Sequence, residues 1–459
     1  MKQIVILGAG ESGTGAALLA HAKGYQVFVS DSGTIDSVYK QQLEAQHIPF
    51  EEKQHTWQKI KDTHEIIKSP GIPNTTPIMQ AIHKAGIPVI DEIAFATRYT
   101  KATLIAITGS NGKTTVTQYI YHVLQQAGLD IGIAGNMGTS FAKKLFQQED
   151  HAYYVLELSS FQLEYIHHCR FHIACLLNIT PDHLDRYDYR MDKYIAAKQN
   201  IGYNMTPQDW LIYNADDKHV AQGISSLSDP NHPKTCPISL KGPVHDGAYL
   251  KASCIYFHGT ESYFKLSLET LPLHGKHNIF NAMVVGLVAT YLKVPSASII
   301  KGLQTFKGLP HRMELIADCN SIKFYNDSKA TNVAATMAAL QSFDQPIVWI
   351  AGGYDKGNDY TPLQAIVHKW VKALIVLGTD NTPIKQAFAD CDIPMYETTS
   401  IEEAVAIAYN LALPQHIILL SPACASFDLF QNFEDRGQQF KDAVNALVCI
   451  FKRSSTFQK

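Results

Sequence analysis

The stretch TLIAITGSNGKTT, residues 103–115, decides how this chain is read. Its first half is a short β-branched apolar run, the pattern of a strand buried on both faces. Its second half is a glycine turn that opens a helical stretch, VTQYIYHVLQQ (116–126). A turn of this kind lines up successive backbone N–H groups at a helix N-terminus, where they cradle phosphate. Gly109, Ser110, Asn111, Gly112 and Thr115 supply that backbone. Lys113 adds charge for the β- and γ-phosphates, and the Thr114 hydroxyl can ligate Mg²⁺. The loop is shorter than GxxxxGK[ST], because Ile107 stands where the first glycine belongs. Strand, loop and helix together predict ATP or GTP binding.

Working outward, similar apolar runs recur as QIVILG (3–8), YYVLELS (153–159), IACLLNIT (173–180), PIVWIAGG (346–353), KALIVLG (372–378) and HIILLSP (416–422). The segments between them are long enough for crossover helices, so the fold class is α/β with parallel sheets. Nearly every polar cluster follows one of these runs, and ligands of open α/β sheets bind beyond the carboxyl ends of the strands. At 459 residues the chain holds about three domains. Breaks near 91–101 and 303–312 give domains at 1–95, 96–307 and 308–459. The turn-rich region 205–275 reads as an excursion within the middle domain.

Composition bounds the function. Hydrophobic residues make up 46% and charged residues 18%, as in soluble globular chains. The formal charge is 39 − 42 = −3, which gives no basis for nucleic-acid binding. Eight scattered cysteines without a CxxC pair suit reduced thiols in a cytoplasm. The start MKQIVILGAGESG does not read as a signal peptide, and no apolar stretch is long enough for a membrane span. The tail RSSTFQK is polar and is expected to fray.

A second glycine loop, Gly8-Ala9-Gly10-Glu11-Ser12-Gly13, lies between a strand and a helix, with Asp31 about 20 residues on. The pattern fits NAD or FAD, another diphosphate such as that of a UDP-sugar, or a tight turn without ligand. Glu11 suits a diphosphate only if its side chain points away. Ser69-Pro70-Gly71-Ile72-Pro73 could close the same pocket. In the middle region, Glu157 ends a strand and His183 follows one, beside Asp182 and Asp185. Glu157 and Thr114 offer the oxygen ligands Mg²⁺ prefers. Lys198, in the helical stretch MDKYIAAKQNI, reads on local chemistry as a solvated or helix-capping lysine.

The segments SPGIP (69–73), ITGSNGKTT (107–115), GNMG (135–138), LELSSFQLE (156–164), NITPDHLDRY (178–187), AAK (196–198), HGKHNIFNA (274–282), GLPHRME (308–314), NDSKATN (326–332), GGYDKG (352–357) and LSPACASFDLFQNFEDRG (420–437) resemble the Mur ligases. These are ATP-dependent amide ligases of peptidoglycan synthesis, and the likeness is strongest to members that add D-glutamate. The resemblance implies a Rossmann-like N-terminal domain, a central P-loop-type ATPase domain and a Rossmann-like C-terminal domain. It implies UDP-MurNAc-L-Ala and D-glutamate as substrates, joined through an acyl phosphate by a cytoplasmic monomer. By position, Ser12, Asp31, Ser32, Gly71, Asn136, Ser159 and Gln162 would hold the UDP substrate. Asn281, His311, Arg312 and Asp327 would join the loop around ATP. Lys113, Glu157, His183 and Lys198 would be catalytic. Thr114 and Glu157 would hold one Mg²⁺, and His183 and a carbamylated Lys198 a second. Lys329, Thr331, Lys356, Ser426 and Phe433 would surround D-glutamate. Another Mur ligase, a folylpolyglutamate synthase, a nicotinamide-dependent dehydrogenase resting on GAGESG, and a non-catalytic nucleotide-binding regulator stand as alternatives.

Overall fold

The computed structural model describes residues 2–136, 138–224, 232–259, 263–273 and 275–456. Met137 of GNMG, His274 of HGKHNIFNA and the last three residues of the tail lie outside the described residues. Residues Met1–Pro272 with Ile279–Phe306 form one compact unit, and Leu273–Asn278 with Lys307–Lys459 form another.

The first unit begins with β1 (Gln3–Leu7), β2 (Gln26–Ser30), β3 (Phe50–Glu51), β4 (Glu65–Lys68) and β5 (Val89–Asp91), ordered β3-β2-β1-β4-β5. All pairings are parallel. Ile4, Val5, Ile6 and Leu7 are all buried, as a central strand covered on both faces requires. The chain winds outward from β1 to one side and then to the other. This leaves a crevice between the loops after β1 and β4, the topological switch point where ligands settle.

The same unit holds a nine-stranded sheet: β6 (Thr103–Thr108), β7 (Ile131–Gly135), β8 (Tyr153–Glu157), β9 (Ile173–Leu176), β10 (Trp210–Asn214), β11 (Lys234–Ser239), β12 (Ala248–Lys251), β13 (Cys254–His258) and β14 (Tyr263–Ser267). Its order is β14-β13-β12-β11-β10-β9-β6-β8-β7. The strand that feeds the phosphate loop, β6, lies between β8 and β9. The region 205–275, expected as an excursion, instead extends this sheet through β10 to β14. It pairs parallel as far as β12 and then turns antiparallel. One apolar cluster, from Ile4 to Ile224, runs through both sheets.

The second unit is built on β15 (Glu314–Cys319), β16 (Ile322–Asn326), β17 (Ile347–Gly352), β18 (Val371–Leu377), β19 (Met395–Thr398) and β20 (Ile417–Ala423), ordered β15-β16-β20-β17-β18-β19. Only β15 runs antiparallel. The fully buried Trp349 anchors one face, its indole N–H donating to Ser421 O. All eight cysteines are free thiols. Among the described residues no helix is long and apolar enough to cross a membrane.

Candidate phosphate-transfer site

The loop after β6 is held open by its neighbours. Gly112 takes a left-handed conformation (φ 88°) as the residue before the helix Lys113–Gln126, a geometry an L side chain would strain. The segment after β9 clamps the loop from the side. Asn178 accepts from Asn111 N at 2.8 Å and donates to Asn111 O at 2.9 Å. Ser110 Oγ donates to Thr180 O at 2.8 Å and lies 3.0 Å from the Tyr194 hydroxyl. Buried Asn281 brings its Oδ1 within 3.4 Å of where a Cβ on Gly112 would stand. Thr114 and Thr115 are buried in the helix's first turn.

Two ammonium groups converge on one carbonyl of this loop. Lys113 Nζ donates to Gly109 O at 2.8 Å and to Ser110 O at 3.0 Å. Lys198 Nζ, fully buried and over the Tyr194 ring, donates to the same Gly109 O at 2.9 Å. Burial pushes the Lys198 ammonium well below its ordinary range; Lys113 pushes the same way and Asp182 opposes it. Glu157, at the end of β8, is buried too. Its Oε1 accepts from Asn136 Nδ2 at 3.2 Å, while its Oε2 is buried without a hydrogen-bond partner. A buried carboxylate oxygen in that state fits a cation beside it. Among the described residues no three His, Cys, Asp or Glu side chains group as a metal cage. A cation here would therefore share its ligands with substrate phosphates, as Mg²⁺ commonly does. Ser159 and Gln162 cap the short helix after Glu157 reciprocally. His183 takes a left-handed conformation (φ 52°), half exposed, with its ring edge-on to Phe161 at 5.3 Å.

The crevice of the first sheet is close-packed around glycine. A Cβ on Gly13 would stand 1.8 Å from Gly8 O, and one on Gly8 would stand 2.6 Å from Ser69 Oγ. Asp31 accepts from Ala9 N at 2.7 Å and from Gly33 N at 2.7 Å, so it fixes the glycine loop. Glu11 points away from the crevice: it pairs with Lys143 at 3.0 Å and accepts from Ser140 N. That removes the objection its charge raised against a diphosphate. Beside the loop lies an open cavity of about 600 Å³ whose lining includes Ser32, Gly71, His55 and Trp57. Ser12 is the second residue of the helix Glu11–Ala22. His55 and Trp57 carried no signal in the sequence.

In the second unit the loops after β16, β17 and β20 meet. Lys329 Nζ stands 3.6 Å over the Phe433 ring, and Ser426 is buried near the end of β20. Thr331 follows on the same loop as Lys329, and Lys356 is exposed after β17. His311 Nδ1 lies 3.0 Å from Asn326 Nδ2, and His311 O accepts from Lys329 N. Arg312 follows His311 and faces the charge of Asp327. Burial pushes the Asp327 carboxyl up to about 7, against hydrogen bonds from Ser421 and Met313. Arg436, fully buried, donates to Ser328 O at 2.8 Å, Cys424 O at 3.2 Å and Gly352 O at 3.5 Å, so one guanidinium ties all three loops. The sequence marked it only as a letter within a longer segment.

Three family models match the chain in order: the Mur ligase MurD-like N-terminal domain over 2–91, the Mur ligase middle domain over 107–289 and the Mur ligase glutamate ligase domain over 311–424. A UDP-N-acetylmuramoylalanine–D-glutamate ligase of Christiangramia forsetii is 46% identical, over 97% of this chain and 100% of the relative. A protein of the same name from Porphyromonas gingivalis is 46% identical, over 96% and 98%. The solved pseudomurein peptide ligase type C of Methanothermus fervidus superposes with a TM-score of 0.60 at 19% identity, over 97% of this chain and 100% of its own.

Proposed function

This chain belongs to the Mur ligase family, and from that premise we propose the reaction and the residues that carry it. It is an ATP-dependent ligase that adds D-glutamate to UDP-MurNAc-L-Ala in peptidoglycan precursor synthesis. The observation that carries the chemistry is the convergence of Lys113 and Lys198 on Gly109 O, at 2.8 and 2.9 Å. It lies on the strand-loop-helix of a nucleotide site, next to the buried, half-satisfied carboxylate of Glu157.

The L-alanyl carboxylate attacks the γ-phosphorus of ATP, the bond to the β-γ bridging oxygen breaks, and ADP leaves. The acyl phosphate keeps a good leaving group. The neutral amine of D-glutamate adds to the carbonyl, loses a proton to solvent or a base, and expels phosphate, leaving the amide. Lys113 and the N–H groups of Gly109 to Thr115 hold the phosphates and offset charge on the transferred group, which is most of what phosphoryl transfer asks of a protein. Asn281, His311, Arg312 and Asp327 complete the nucleotide contacts. Thr114 and Glu157 would hold one Mg²⁺, and His183 with carbamylated Lys198 a second; bound Mg²⁺ neutralises phosphate charge. Burial disfavours the charged form of Lys198, and the neutral amine is the form that adds CO₂.

Ser12, Asp31, Ser32, Gly71, Asn136, Ser159 and Gln162 are assigned to the UDP substrate, with Asp31 acting in part through the Ala9 N–H it fixes. Lys329, Thr331, Lys356, Ser426 and Phe433 are assigned to D-glutamate; the two lysines suit its carboxylates. The domains are assigned as 1–95, 96–307 and 308–459, in a cytoplasmic monomer. Phosphate release from ATP and Mg²⁺ with UDP-MurNAc-L-Ala tests the reading, with D-glutamate, L-glutamate, L-lysine, meso-diaminopimelate or no amino acid added. Release that needs D-glutamate, with a matching amide product, supports it. Release with another amino acid moves the specificity, and no release from folded, ATP-binding protein overturns it.

A further inference from the structure

The loop that closes the first-sheet crevice is gripped from the second sheet's side. Arg186 donates through one guanidinium nitrogen to Gly71 O at 3.0 Å and through another to Pro70 O at 3.3 Å. Its guanidinium carbon stands over the Phe161 ring, 4.4 Å from the centroid, and the His183 ring meets that same phenyl edge-on at 5.3 Å. Arg186 and His183 stand on one short 3₁₀ turn, Leu184–Tyr187 and the residue before it. Tyr187 stacks on Phe161 from the same turn at 6.0 Å. Phe161 in turn belongs to the capped helix that follows Glu157. The grip is reinforced on the same loop. Lys68 donates to Ile72 O at 2.8 Å with Tyr165 beneath it, and Asn74 bonds to both Glu164 and the Tyr165 hydroxyl.

We propose that Arg186 is a positioning residue for the nucleotide-sugar substrate, locking the Pro70–Gly71 carbonyls of the crevice loop to the Phe161–His183 pair. The substrate of this reaction is long: its diphosphate end belongs to the first-sheet crevice, while its carboxylate must reach the transferred phosphoryl group at the second. The distance between those two ends must be held, because a misplacement of about 1 Å can remove a hundredfold in rate. Arg186 is the side chain that bridges this span with a planar cation. It sends two nitrogens of its fork to two carbonyls while its charge stands over an aromatic ring, a combination lysine cannot reproduce. The inference rests on the ligase reading above and adds a residue to it.

The experiment compares wild type with Arg186→Ala, Arg186→Lys and Phe161→Leu by steady-state ligation, varying UDP-MurNAc-L-Ala and ATP separately, with melting temperature and ADP binding measured on each. In Arg186→Ala the KM for UDP-MurNAc-L-Ala should rise roughly ten- to a hundredfold, the range for losing charge-assisted hydrogen bonds. The KM for ATP and the affinity for ADP should stay within about twofold, reflecting a phosphate loop that Arg186 does not touch. Arg186→Lys should recover only part of the loss. Phe161→Leu should show the same split more weakly. Equal losses toward both substrates, or unchanged kinetics in a folded Arg186→Ala, overturn the inference. A wild-type protein without D-glutamate-dependent ligation would instead sink the ligase reading, whatever the variants do.

Discussion

Lys198 and Asp327 show how burial sets the behaviour of a single residue. The Lys198 ammonium meets one carbonyl, Gly109 O, and a neighbouring positive charge, so its charged form is disfavoured. Only a neutral amine adds CO₂. With ¹³C-labelled bicarbonate the wild type should give a carbamate carbon signal that Lys198→Arg lacks. Ligation by that variant should fall at least about a hundredfold, the scale for losing one preorganised electrostatic group; full activity without the signal would refute the assignment. Asp327 titrates near 7 when folded and near 3.8 when unfolded, because desolvation outweighs its hydrogen bonds and Arg312. A raised carboxyl keeps its proton in the folded chain, so its contribution is complete below about pH 4 and is lost as pH rises toward 7. The melting temperature of wild type minus that of Asp327→Asn should therefore fall between pH 5 and pH 7.5, by a few degrees; a flat or rising difference would contradict it. The phosphate loop was legible because its chemistry is consecutive in the chain. Arg186 and Arg436 were not, because their partners lie 115 and 108 residues away and only the folded chain joins them.

At the scale of elements, the apolar runs were legible as parallel strands, since burial on both faces leaves the same mark whatever the partner strand. The region 205–275 was not, because whether short strands extend a sheet or leave it depends on pairing with β9, residues 173–176, which no local pattern records. Glycines of the first βα unit divide by the space around them. A methyl on Gly13 would sit 1.8 Å from a backbone oxygen, whereas one on Gly10 meets nothing within 4 Å. Gly13→Ala should thus destabilise the fold by about 1–3 kcal/mol or more, read as a lower urea midpoint. Gly10→Ala should leave that midpoint in place and raise the KM for UDP-MurNAc-L-Ala about tenfold, as expected where backbone must approach a diphosphate. If both variants unfold alike, or neither changes anything, the crevice has been assigned to the wrong ligand or the wrong glycine.

At the scale of the molecule, two sheets belong to one unit and the third to another, and the apolar core explains why. Cluster residues from the first sheet, such as Ile67 and Val29, and from the second, such as Leu104 and Leu156, form one connected set. Ile93, Phe95 and Ala96, at the junction near residue 96, are buried within it. Glu11 with Lys143, and Arg186 with Gly71, add polar ties across the same junction. The second unit has separate clusters around Trp349 and around Val348. Function can follow the proposed domains 1–95 and 96–307 while the shared cluster predicts that unfolding will not. A fragment 1–95 would expose apolar surface that the second sheet normally covers, at about 25 cal/mol for each Å², so it should fail to melt cooperatively. A fragment 1–306 should give one sharp calorimetric transition and bind ADP through its phosphate loop, more weakly than the full chain because it lacks His311, Arg312 and Asp327. A cooperative transition from 1–95, or two resolved transitions from 1–306, would mean that the shared cluster contributes little and that the two sheets fold independently.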